Sequence, residues 1–125
     1  MSPYSVTHLW EHFRGGVHAL ANGDLPLRER LVPVLQQVLI RFDNPEGFDP
    51  ILRPIWNAIR KLCSTNQDPE KGSVNASISS IPDEDLQWLV DAFVDMAAWI
   101  ERHIDDELAD AVVREKHIPP HLCGN

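Results

Sequence analysis

The chain has little of what builds covalent frameworks or catalytic centres. It contains two cysteines, one tyrosine and two methionines among 125 residues. Two cysteines do not make a disulfide framework. Cys63 falls in an apolar helical run, where a free thiol acts as a small hydrophobe, and Cys123 lies too near the end to staple a core. A reducing compartment is therefore expected. The opening stretch, MSPYSVTHLWEHF, shows neither the basic start nor the apolar run of a secretory signal. No uninterrupted apolar run approaches the roughly 18 residues of a membrane-crossing helix. These absences predict a cytoplasmic protein with no membrane partner.

Basic residues are also scarce. Eleven Lys and Arg stand against 19 Asp and Glu, for a formal net charge of −8 and a pI near 5.0. Phosphate backbones are bound by clustered Lys and Arg, so direct nucleic-acid binding is not expected. Gly-rich phosphate loops, a serine in a Gly-flanked elbow and paired Glu-x-x-His segments are all missing. The chain does not read as an enzyme, and no cofactor is implied.

What is present is helical periodicity. The spacing predicts an all-α, compact bundle of four to five helices with a long acidic C-terminal helix, in one domain over 1–125. The first helix is expected over about 6–21, capped by Ser5 and stopped at Asn22-Gly23. Gly15-Gly16 in its interior suggests a close crossing or a kink. Asp24 is expected to cap a second helix, which Pro33 should bend or split. Asp49 is expected to cap a third, opening with Pro50 and running to about Ser64. Residues 65–80 read as a long polar loop, and 117–125 as a flexible tail.

From Ile81 to Lys116 the pattern is nearly unbroken. That stretch holds 11 acidic residues against Arg102, Arg114 and Lys116, and the rest of the chain balances at 8 of each sign. Leu86, Leu89, Val90, Phe93, Met96, Ala97, Ile100, Ile104, Leu108 and Ala111 form a core-facing stripe. Trp88, Ala92 and Trp99 project onto a separate flank, rimmed by Asp85, Asp91, Asp95 and Asp106. Two large aromatics outside the main stripe call for a second packing partner, either another helix of the chain or another molecule. The same pattern leaves open a bend or break near Asp105.

Two segments have metal-ligand spacing. His8-Leu9-Trp10-Glu11-His12 spells H-x-x-E-H, in which two histidines one turn apart bind zinc and the glutamate serves as base. Its third ligand would have to come from the last helix, for example Glu101 or Glu107. His117, His121 and Cys123, with His103, form a second set on a Pro-rich terminus. A polar helix face and a frayed tail are the preferred readings, so no metal is assigned. The leading functional expectation is a non-catalytic interaction or assembly subunit, self-associating through the last helix. The contact surface would centre on Trp88, Ala92 and Trp99. The alternatives are an acidic neutraliser of a basic partner protein and a small metalloenzyme using His8, Glu11 and His12. Arg28, Arg30, Arg41, Arg53, Arg60 and Lys61 make the second and third helices locally basic, with pairing to acids inside the bundle preferred.

Overall fold

A computed structural model describes residues 4–103 and 118–122. Five helices run in the order α1 (Val6–Asn22), α2 (Leu27–Arg41), α3 (Arg53–Leu62), α4 (Ser73–Ser80) and α5 (Asp83–Arg102). Short 3-10 turns occur at Pro45–Gly47 and Pro120–Leu122, and no strand occurs among the described residues. No described helix is long and apolar enough to cross a membrane.

Helix α1 starts where its cap predicts, with the Ser5 side chain accepting from the His8 N–H at 3.4 Å. It ends at Gly23, whose φ of −81 needs no glycine. The glycine is needed for space, because a Cβ there would stand 2.3 Å from Arg30 Cδ. Arg30 is what closes the end of α1, donating to the Leu20 carbonyl and, at 2.6 Å, to the Leu25 carbonyl.

Three expected boundaries move. Asp24 lies in a bend and Pro26 occupies the N-cap of α2, so Asp24 caps nothing. Pro33 neither splits nor ends α2, which is continuous from Leu27 to Arg41. Asp49 accepts from the Ile51 N–H at 3.0 Å, but this closes a turn, and α3 begins only at Arg53 with Pro54 in its first turn.

The largest departure is at 65–80, where a long loop was expected and α4 is found. Asp68 opens the connection, its carboxylate accepting from the Glu70 N–H at 2.8 Å and the Lys71 N–H at 3.1 Å. Those two bonds hold the Asp68 carboxyl below its usual range. Gly72 then takes φ +85, the left-handed region glycine enters without strain. Ser77, fully buried, exchanges hydrogen bonds with the Asn66 backbone, accepting at 2.9 Å and donating at 3.2 Å. Arg28 closes the far end of α4, donating to the Ile78 carbonyl and to Asp83, both at 2.7 Å.

The core gathers where α1, α3 and α5 meet. Phe13 stacks on Phe93 at 4.9 Å between ring centroids, and Phe42, Phe48 and Trp56 surround them. The buried Trp56 indole donates to the Phe42 carbonyl at 3.0 Å, which satisfies its one polar atom. Tyr4 packs edge-on to Phe42 and Phe48 and donates its backbone N–H to the Gly47 carbonyl at 2.7 Å.

Residues 118–122 do not form a loose tail. Leu122 is buried, Ile118 packs on the core, and His121 Nε2 lies 3.2 Å from Asp85 Oδ1.

Candidate docking face on the first and last helices

The flank expected to form the contact surface is largely inside. Ala92 is fully buried and Trp99 is only 4% exposed, while Trp88 is half-buried against the core. The buried arc of α5 runs through Leu86, Leu89, Ala92, Phe93, Met96, Trp99 and Ile100. It has rotated toward the tryptophan flank because α5 packs on α1 along one side and on α3 along the other. The second partner that Trp99 required is thus the chain's own core. Of the three expected contact residues, Ala92 is closed off, Trp99 shows only its small exposed fraction and Trp88 alone offers a sizeable surface.

The acids of that rim separate. Asp85 engages His121, Asp91 is exposed and accepts from Gln87 at 3.0 Å, and Asp95 is half-buried. Asp106 lies outside the described residues, as do Glu107, His117 and Cys123. So does the stretch around Asp105. Helix α5 closes at His103, whose ring lies against Trp99 at 4.2 Å.

Among the described residues a different face is left uncovered, and Trp10 marks it. The exposed row of α5 is Glu84, Gln87 and Asp91 in its first half, but Val94, Ala98 and Glu101 in its second. Val94 is 39% exposed, one of three large apolar side chains in that state among the described residues. Across the seam, α1 contributes Trp10 and Val17, both half-buried, with Arg14 and His18 exposed beside them. The Arg14 guanidinium sits over the Trp10 ring at 4.9 Å.

Two hollows flank Trp10. One, of about 300 Å³, is lined by Trp10, Arg14, Val17, His18, Val94, Ala97, Ala98 and Glu101. The other, of about 380 Å³, is lined by Val6, Thr7, Trp10, Ile100 and Glu101. Apolar side chains dominate the lining, and the exposed charged groups stand beside them. The residue-level clue was in the sequence: Trp10 falls one residue after Leu9 and three before Phe13, off the apolar stripe of α1.

The opposite side of α1 carries the H-x-x-E-H residues. His8 and His12 meet edge to face at 4.7 Å, and both rings lie against Phe42. Partial burial, the Arg41 charge and His8 hold the His12 imidazole below its ordinary value, against an opposing pull from Glu11. Glu101, the proposed third ligand, is on the other side of the helix, in the hollows beside Trp10. Among the described residues no three His, Cys, Asp or Glu side chains gather to hold a metal ion. The Cys63 thiol is buried and pushed up to about 12, so it is not a nucleophile at neutral pH.

Three basic side chains of α2 and α3, Arg28, Arg30 and Arg53, serve the fold. Arg28 ties α2 to Asp83, Arg30 closes α1, and Arg53 donates to the Phe48 and Glu46 carbonyls beside the Glu46 carboxylate. No protein-family model matches the chain, and the comparisons with curated proteins and with solved structures also find no match.

Proposed function

We propose that this chain is a non-catalytic interaction subunit that meets another protein through the α1–α5 face. The observation that carries the reading is the apolar second half of the exposed row on α5, set beside the half-buried Trp10. A helix on the surface of a monomer presents polar residues outward. Here Val94 and Ala98 replace them where the seam widens into two hollows. A large aromatic ringed by small apolar residues and a few charges is the composition of interface hot spots. The acidic residues of α5, with Glu84, Asp91 and Glu101 exposed, supply solubility and one sign of charge at the rim.

The test is capture from the native source by tagged full-length chain, compared with its Val94→Glu variant. Exposure of Val94 leaves room for a carboxylate without disturbing the core. The expected result is a specific set of captured proteins, self included, that is lost with Val94→Glu while the melting transition is kept. Equal capture by both forms would remove the α1–α5 face from the reading. Capture lost by moderate salt alone, and indifferent to Val94→Glu, would favour an acidic neutraliser instead.

A further inference from the structure

We infer that the occupant of the α1–α5 face is a second copy of this chain, related by a two-fold axis running along the seam. The inference rests on the docking reading above and names the partner. Three features of the face carry it.

The first is direction. Val6, Thr7 and Trp10 share a hollow with Ile100 and Glu101, while Gly16 abuts Phe93, so α1 and α5 run antiparallel. A two-fold axis parallel to both helices and midway between them lays α1 of each copy on α5 of the other. Axial levels are preserved by that rotation, so residues that share a level within one chain face each other across the pair. Every contact then occurs twice.

The second feature is size. Trp10 lies level with the small residues Ala97 and Ala98, with which it lines one hollow. In the two-fold pair each Trp10 is placed over the partner copy's small α5 residues, large against small. The four helices interdigitate as in an antiparallel bundle layer.

The third is charge. The α1 side of the groove carries Arg14 and His18, and the α5 side carries Glu101. Within one chain Arg14 stacks on Trp10. The two-fold pairing brings each basic α1 side onto the acidic α5 side of the other copy, once on either side of the axis. A two-fold across the helices would instead lay α1 on α1, setting the sides that carry Arg14 and His18 against each other, and is disfavoured. A face one 17-residue helix long is about 26 Å, and two helices wide it is about 20 Å. That is roughly 500 Å² of footprint per copy, toward the small end of specific interfaces, so the pair dissociates in the micromolar range.

The experiment measures mass in solution by sedimentation for the full chain and for Arg14→Glu and Glu101→Arg. The wild type is expected to pair. Each variant alone carries two repulsive contacts and should dissociate at least about tenfold more readily. Mixing the two variants restores opposite signs at every contact, so the mixture should recover the mass of a pair. A wild type that stays monomeric at about 0.3 mM overturns self-pairing. In that case Val94-dependent capture of a different protein would still support the docking face, and its absence would end both. A wild-type pair indifferent to both charge reversals, or variants that do not recover on mixing, overturns the two-fold seam geometry. Melting curves check folding, and Arg14→Gln and Glu101→Gln replace any charge reversal that unfolds.

Discussion

A methyl group added at Gly16 would stand 2.7 Å from Phe93 Cζ and 2.9 Å from Val34 Cγ1, whereas one added at Gly15 would meet nothing within 4 Å. The two adjacent glycines therefore have opposite roles. Gly16 is the point where α1 comes close enough to both α2 and α5 for Phe13 and Phe93 to stack. Gly15 is exposed in the middle of a helix, where its backbone freedom only weakens α1. Gly16→Ala is expected to lower stability by about 1–3 kcal/mol through overpacking. Gly15→Ala should raise it by roughly 0.5–1 kcal/mol through helix propensity. Urea unfolding of the two variants beside the wild type measures both, and equal effects of one sign would refute the crossing. The sequence signalled that a close crossing or a kink was present. It could not say which glycine, because a contact with Phe93 lies 77 positions away and leaves no local trace.

At the scale of elements, α1, α2 and α5 were legible because each repeats apolar residues every three or four positions over 15 or more residues. Helix α4 was not. Only Ser77 and Ile78 are buried among its eight residues, too few to make a stripe, and eight residues do not hold a helix alone. What holds it comes from elsewhere: Asn66 in the connection after α3, Arg28 at the start of α2, and the turn built by Asp68 and Gly72. Polar ties between distant residues carry no periodicity, and the polar composition that reads as a loop is here the means of attachment. Ser77→Ala removes the partner of the part-buried Asn66 N–H and is expected to cost about 0.5–1.5 kcal/mol. Hydrogen exchange at 73–80 should rise more than in α1 or α5. Uniform exchange throughout, with unchanged unfolding, would show that α4 stands on its apolar contacts alone.

Across the whole molecule, the question posed by the tryptophans is whether they are covered from within or from outside, and the four residues divide. Trp56 and Trp99 belong to the core, Trp88 leans on it, and Trp10 stands at the seam between α1 and α5. The helical projection, which assumed a single core stripe, set Trp99 apart and left its cover open between another helix of the chain and another molecule. With α1 on one side and α3 on the other, the buried arc widens and takes in the flank. The same assumption hid Trp10, which sits one residue beyond a predicted core position. Trp99→Ala is accordingly expected to lower stability by about 3–5 kcal/mol, the range for deleting a large buried aromatic. Trp10→Ala, at a half-buried site with one face over a hollow, should cost far less in a dilute monomer, about 1 kcal/mol. Its larger effect should fall on association, because each copy loses the residue that fills the other's small-residue surface. Unfolding at low concentration and sedimentation at high concentration separate the two. If Trp10→Ala destabilises the dilute chain as much as Trp99→Ala does, then Trp10 is a core residue too, and the α1–α5 face loses its anchor.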